Sequence, residues 1–368
     1  GGISDNNEID YNRENFDGNA FKATGNVVNT LTIDNTKSSI KVEGKQAVGI
    51  YGENRNKAEA NKVTINYETD VANSKIINVE NTAATSKDPK SRGVGIALVN
   101  NYKAYGQDDA QAGGEITLKS SGGTLGGSGA TSNDILTGRN GIGIYAESAN
   151  IFLNSNDFTV QTAEDGIGMW VTDDSNIAKD ANTGHNKTFQ YNYQGSEAGN
   201  GNGFAIAFGS TNSNGLTARN DLDIKFNNAG KTITLVDERA GLTGTPSGTS
   251  KGIAGILVNT GSNDTVINKG HIKEEGSTTN VRSYGAVVNK GGFENWGNIT
   301  LSDSLNELAK NIKTEDLKKA NIGILANDHS ANARYNTFIE NHGDITIGDS
   351  TNDKNIGSWA IYGYNITN

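Results

Sequence analysis

The feature that most constrains this chain is a short motif in which glycine alternates with apolar residues and an aromatic or small residue follows. It is clearest at 141–145, where the sequence is Gly-Ile-Gly-Ile-Tyr. The central small residue of nine such copies lies at positions 49, 95, 143, 168, 205, 255, 285, 323 and 360, so successive copies are 25 to 50 residues apart. Recurrence of one supersecondary unit at this spacing is typical of a stacked-repeat protein.

The motif has the pattern of a β-strand, because alternate side chains of a strand point to opposite faces. In the copy at 141–145 we expect Ile142 and Ile144 to fill the interior. We expect Gly141 and Gly143 to relieve crowding where another backbone segment comes close. The alternative, a glycine-rich nucleotide-binding loop, requires a helix after the motif. Polar, strand-forming sequence follows instead, so the motif favours the strand.

Composition agrees with many short strands joined by turns. The 368 residues include 47 glycines, two prolines and no cysteine, and apolar β-branched clusters recur along the chain. The 32 basic and 42 acidic residues give a formal net charge of −10, which argues against a nucleic-acid or anionic-membrane surface. Without cysteine there is no disulfide or thiolate metal site. No apolar run reaches the ~18 residues of a membrane helix.

A second repeat, Asn-any-Gly-any-Ile, begins at Asn268, Asn295 and Asn341. Asparagine at a repeated turn can stack in a ladder between successive turns of the chain, and glycine beside it supplies a tight corner. Together the two repeats predict an all-β fold, a parallel β-helix or solenoid. With about 22 residues per turn, the chain would make about 16 turns.

The boundaries follow from composition. Residues 1–24 are polar and acidic and are expected to form an N-terminal cap or lead-in. Residues 25–368 are expected to form the solenoid, which would continue beyond residue 368. Loop insertions are expected near 102–114, 173–202 and 303–320. In the last, four apolar residues at near-helical spacing predict one short inserted helix: Leu305, Leu308, Ile312 and Leu317.

Aromatic residues in two insertions are the candidate ligand-binding residues. Phe189, Tyr191 and Tyr193 alternate in the longest insertion, and Tyr102 and Tyr105 lie in the 102–114 insertion. Loops on a rigid scaffold usually carry binding functions. For the first three, an ordinary strand with its rings turned inward and sideways is an equal alternative.

The sequence carries no complete catalytic, metal or cofactor motif, so none of these sites is predicted. Ser250 and Ser350 each lie in a short segment similar to that of a protease serine, but neither has the His and Asp context that a triad needs. The adjacent pairs Asp108–Asp109 and Asp173–Asp174 leave a polysaccharide-cleaving glycosidase or lyase as an alternative. Such enzymes place two carboxylates about 5–10 Å apart across a groove. The three tryptophans could stack on sugars, but their repeat positions favour packing on the flank of the solenoid: Trp170, Trp296 and Trp359.

The units at 141–147, Gly-Ile-Gly-Ile-Tyr-Ala-Glu, and at 341–347, Asn-His-Gly-Asp-Ile-Thr-Ile, resemble the repeats of large autotransporter passenger domains. They are most similar to those of the giant surface adhesins of fusobacteria, and the resemblance covers most of 25–368. It implies a right-handed β-helix on the cell surface. The anchor would be a C-terminal outer-membrane barrel that this chain does not include.

The same resemblance implies a non-enzymatic adhesin. Its partners would be a host-cell receptor, either protein or glycan, and the surfaces of coaggregating bacteria. The segment is expected to be a monomer that binds no nucleic acid and does not insert into a membrane. A purely structural stalk segment is the other alternative. Insertions gathered on one broad side of the solenoid would favour the adhesin.

Overall fold

The computed structural model describes residues 29–34, 39–44, 46–54, 63–80, 93–100, 114–173, 175–179, 187–194, 202–210, 215, 217–228, 252–275, 283–302, 321–326, 337–348, 359–363 and 365–368. This part of the chain is all-β, with one 3-10 turn at Val71–Asn73. The first nine strands are β1 (Asn29–Asp34), β2 (Ile40–Glu43), β3 (Val48–Asn54), β4 (Val63–Glu68), β5 (Ile77–Glu80), β6 (Val94–Asn100), β7 (Gly114–Lys119), β8 (Ile135–Thr137) and β9 (Ile142–Glu147). The next nine are β10 (Asn150–Leu153), β11 (Asp157–Thr162), β12 (Gly166–Thr172), β13 (Ile177–Lys179), β14 (Thr188–Tyr193), β15 (Gly203–Gly209), β16 (Thr217–Asn220), β17 (Asp223–Asn228) and β18 (Ile253–Asn259). The last nine are β19 (Thr265–Asn268), β20 (Ile272–Glu274), β21 (Ser283–Asn295), β22 (Ile299–Leu301), β23 (Ile322–Ala326), β24 (Thr337–Asn341), β25 (Ile345–Ile347), β26 (Trp359–Tyr362) and β27 (Ile366–Thr367).

The strands form three curled parallel sheets that the chain visits in a fixed order. Sheet A begins with β1, sheet B with β2 and sheet C with β3, and each strand pairs in parallel with the next strand of its own sheet one turn later. The long strand β21 serves twice, with its first half in sheet C and its second half in sheet A. Sheet C therefore contains β3, β6, β9, β12, β15, β18, β21, β23 and β26.

The described part thus makes nine turns, and the expectation of about 16 turns is wrong. A turn contains three strands and their connections, which takes 25 to 50 residues rather than about 22. The predicted lead-in at 1–24, the insertion at 102–113 and the predicted helix at 303–320 lie outside the described residues.

The core lies between the three sheets, and glycines of sheet C allow the turns to stack closely. A Cβ on Gly143 would lie 2.5 Å from the carbonyl oxygen of Gly168 in the next turn and 2.5 Å from Cγ1 of Val160. The prediction that these glycines relieve crowding is confirmed. Ile144 belongs to the inner core, as expected, but Ile142 does not. The strict alternation breaks at Gly143–Ile144, where consecutive residues both face inward, so Ile142 lies in an outward row.

A ladder of asparagine side chains joins five successive strands of sheet A, as the second repeat predicts. The Nδ2 of each residue donates to the Oδ1 of the next, at distances of 2.9, 2.8, 2.8 and 2.8 Å. The members are Asn220, Asn268, Asn295, Asn341 and Asn368.

Candidate interaction surface

The outer face of sheet C carries two adjacent rows of outward side chains, and all eighteen are apolar or aromatic. A third row, two residues further along each strand, includes polar residues such as Glu53, Glu147 and Asn259. The residues between the two adjacent rows belong to the inner core, whereas members of the rows form a separate cluster. The first row is Val48, Val94, Ile142, Ile167, Phe204, Ala254, Tyr284, Ile322 and Trp359, and the second is Tyr51, Ala97, Tyr145, Trp170, Ala207, Leu257, Val287, Leu325 and Tyr362. We call these two rows the apolar face.

The apolar face is a property of sheet C and not of the stack as a whole. On sheet B, one outward row runs through Lys225, Lys273, Thr300 and Thr346 in register. That row has the usual arrangement, in which one side of a strand packs on the core and the other is polar. Unbroken apolar character over nine strands of sheet C therefore indicates that something covers or contacts this side.

Part of the apolar face is buried and part is open. In the buried part, Ala254, Tyr284, Val287, Ile322 and Leu325 are between 0% and 5% exposed. Nearer the N-terminus, Tyr51 is 54% exposed. We define the open part as the exposed and half-buried members of the two rows on β3, β6, β9, β12 and β15. These residues are Val48, Tyr51, Val94, Tyr145, Ile167, Trp170 and Phe204.

The aromatic rings of the open part pack on one another. The ring centroids of Tyr145 and Trp170 are 5.7 Å apart with an interplanar angle of 84°, an edge-to-face arrangement. The Tyr145 hydroxyl donates to Oε2 of Glu147 at 2.9 Å. Burial, and then this hydrogen bond to a carboxylate, raise the pKa of Tyr145. The Nε1 edge of Trp170 lies beside Gly209 of β15, where a Cβ would be 3.0 Å from Nε1.

Most of the long connections begin or end at strands of sheet C. Of the thirteen connections of seven or more residues between strands, ten lead into or out of sheet C. The 101–113 connection leaves sheet C, and the 302–321 connection enters it. The third predicted insertion, 173–202, contains β13 and β14, and its last part, 194–202, also enters sheet C.

The structure corrects part of the sequence-based site. Phe189, Tyr191 and Tyr193 lie in β14, and all three are 0% exposed and belong to the inner core. They therefore cannot form a contact surface on the folded chain. The sequence allowed an ordinary strand with its rings turned inward as an equal alternative, and the structure contains that strand. Tyr102 and Tyr105 lie outside the described residues.

Hydrogen bonds fix the buried position of β14. The hydroxyls of Tyr191 and Thr162 are 2.7 Å apart, and Tyr191 also donates to the carbonyl of Gly166 at 3.0 Å. Burial raises the pKa of both Tyr191 and Tyr193. The opposite side of β14 is covered by the connection after β7, since Asn192 Nδ2 donates to the carbonyl of Thr124 at 3.1 Å.

The tryptophans pack on aromatic neighbours at the flank, as their repeat positions predict. Trp296, 50% exposed at the corner after β21, stacks on His342 of the next turn with centroids 3.8 Å apart and planes 14° apart. Trp359 contacts Tyr362 edge to face, with centroids 5.5 Å apart. Neither arrangement presents an isolated ring.

Among the described residues, no group of three or more His, Asp or Glu side chains is arranged to hold a metal ion. No helix in this part of the chain is long and apolar enough to cross a membrane. The two predicted carboxylate pairs contain four aspartates, and only Asp173 is among the described residues, at the corner after β12. Comparison with known protein families, curated proteins and solved structures finds no match.

Proposed function

We propose that this chain is a segment of a right-handed parallel β-helix and acts as a non-enzymatic cell-surface adhesin segment. Its partners would be host-cell receptors and the surfaces of other bacteria. It would be anchored to the outer membrane through a part of the protein outside this chain. The observation that carries the proposal is the apolar face of sheet C with its open part.

Two features of the surface support contact with a partner. The largest exposed apolar patch of a soluble protein, typically about 300–600 Å², is often a functional site. Here the patch lies on a regularly paired sheet, so its side chains are held at fixed spacing and lose little freedom on binding. Ten of the thirteen long connections begin or end at strands of this same sheet, and loops on a rigid scaffold usually carry recognition.

The alternatives receive less support from the described residues. A purely structural stalk needs no apolar outer face, and the polar row of Lys225, Lys273, Thr300 and Thr346 on sheet B is what such a segment would carry throughout. A glycosidase needs a pair of carboxylates across a groove. The two rows of the apolar face contain no carboxylate, and the two carboxylates beside them, Glu53 and Glu147, lie in line along one edge of the rows and not on opposite sides of them.

Binding of the purified chain, residues 1–368, to a panel of host cells and partner bacteria tests this proposal. The variant Tyr51→Asp places a charge in the open part at an exposed position and should lower binding at least tenfold. The variant Trp170→Ala should lower it as well. Trp296→Ala is the matched control, because it removes the same side chain from an exposed position outside sheet C, at the corner after β21.

We expect Trp296→Ala to bind as the unmodified chain does. Circular dichroism and thermal unfolding would establish that each variant is folded. If a well-folded chain binds no cell in the panel, or if both tryptophan variants reduce binding equally, the proposal is overturned.

A further inference from the structure

We infer that the open part of the apolar face binds a protein partner and not a glycan. The matching surface of that partner would be an apolar strip flanked by basic residues. This inference rests on the proposed function and names the chemistry of its partner. It depends on the hydrogen-bonding capacity of the open part, on its ring geometry, on its size and on the charges at its border.

The open part offers few hydrogen bonds. Val48, Val94, Ile167 and Phe204 have no polar side-chain atom, and the Tyr145 hydroxyl already donates to Glu147. Sites for polar small molecules are concave and place several polar groups around the ligand. Tyr51 and Trp170 each add one polar side-chain atom. A sugar on this surface would therefore lose more hydrogen bonds to water than the two rows could replace.

The ring geometry also disfavours a sugar. Stacking on a pyranose requires one accessible flat ring face. Trp170 meets Tyr145 edge to face at 5.7 Å, and the Nε1 edge of its indole lies beside Gly209. The two rings therefore form one packed unit, which suits the irregular apolar surface of a protein.

The size of the open part predicts weak binding by a single copy. Its five strands span four spacings of about 4.8 Å, or about 19 Å, and its two rows are about 10 Å apart along the strands. With side chains the patch covers about 400 Å², whereas a standard interface buries about 800 Å² on each partner. We therefore expect stable attachment only when several copies bind together.

The border of the open part is acidic on one side. Glu53 and Glu147 each follow the second row by two residues on their strands, and Val99 lies between them in register. Two carboxylates in line at the edge of an apolar strip favour a partner with basic residues at the matching edge. The net charge of −10 acts in the same direction at longer range.

Beads that carry many copies of the chain provide the test, with partner cells treated in two ways. Protease treatment of the cells should reduce binding at least tenfold, and periodate oxidation of their glycans should leave it unchanged. Raising the salt from 0.15 to 0.5 M should weaken binding several-fold. The double variant E53Q and E147Q should remove most of this salt dependence. The control pair E294Q and E340Q, in register on sheet A, should not.

The outcomes separate the inference from the proposed function. Binding that periodate abolishes, or binding that survives protease, overturns the protein partner and leaves the adhesin proposal standing. Equal salt dependence in the two double variants overturns the basic flank. If folded chains on beads bind no cell, the proposed function itself fails.

Discussion

Asn268 and Asn295 are 27 residues apart in the sequence, and a buried hydrogen bond of 2.8 Å joins the Nδ2 of the first to the Oδ1 of the second. The same Nδ2 of Asn268 also donates to the carbonyl of Gly270, at 2.8 Å. Each asparagine of the ladder therefore closes its own corner and holds the next turn in register. Because both hydrogens of the amide are used inside the protein, no other side chain of similar size can replace it.

Replacing Asn295 with alanine should destabilise the stack by about 1–3 kcal/mol, because Asn268 loses its acceptor and Asn341 loses its donor inside the protein. Urea unfolding followed by circular dichroism measures the change. Lys269→Ala, at an exposed position beside the ladder, should change stability by less than about 0.5 kcal/mol. Similar losses in the two variants would show that the ladder does not stabilise the stack.

Gly143→Ala should destabilise by about 1–3 kcal/mol, since the added methyl group would lie 2.5 Å from the carbonyl oxygen of Gly168. Thermal unfolding measures this loss. The reverse change at Ala205, which occupies the same register two turns later, is the control. Ala205→Gly should cost no more than about 1 kcal/mol. A neutral Gly143→Ala variant would contradict the close approach of the turns.

Protonation of Asp134 should make the stack more stable in mild acid than at neutral pH. Its carboxyl group is buried, and burial raises its pKa to about 6 against hydrogen bonds from Thr69 and the Thr159 amide. A carboxyl group whose pKa is higher in the folded state destabilises the fold when ionised. The penalty is therefore present above pH 6 and is relieved as the pH falls from 6 toward the ordinary value of 3.8.

The stability of the unmodified chain should rise by about 1 kcal/mol more than that of Asp134→Asn between pH 8 and pH 5. Comparing the two chains cancels the contributions of other titrating groups. Equal pH dependence in both chains would mean that Asp134 does not titrate as a buried group.

Tyr191 and Tyr193 should respond differently to loss of their hydroxyl groups. Tyr191→Phe removes hydrogen bonds to Thr162 and Gly166 and should cost about 1–2 kcal/mol. The Tyr193 hydroxyl is buried with no hydrogen-bond partner among the described residues. Tyr193→Phe should therefore be neutral or stabilising by about 1 kcal/mol. Chemical denaturation distinguishes the two, and equal losses would contradict the arrangement around β14.

The sequence predicted the stacking well, because glycine crowding and the asparagine ladder each depend on residues at one repeated position. The lack of a side chain at Gly143 predicts close packing, and the amide of Asn268 predicts a hydrogen bond between turns. The number of turns was wrong because three strands are needed to close each turn and only one of them carries the glycine motif. The orientation of Ile142 was wrong because consecutive inward residues at a bend break the two-residue period.

The surface was harder to predict than the stack. Phe189, Tyr191 and Tyr193 alternate with polar residues along β14. That alternation alone does not determine which side of the strand faces the core. The apolar face depends on register between turns, since Tyr145 and Trp170 become neighbours only when their strands pair. One signal was available in the sequence: each glycine motif carries apolar residues on both sides of the strand, which is more than a half-buried strand needs.

Stacking of successive turns in register underlies the whole account, because it alone aligns the two rows of the apolar face. Thr300 and Thr346 are register partners on the outer side of sheet B, and the chain has no cysteine of its own. Cysteines at these two positions should form a disulfide rapidly under mild oxidation, since neighbouring strands lie about 4.8 Å apart. Cysteines at Lys225 and Thr346, three strands apart at about 14 Å, should not. Failure of the first pair to close, or equal closure of both pairs, would contradict the stacked turns.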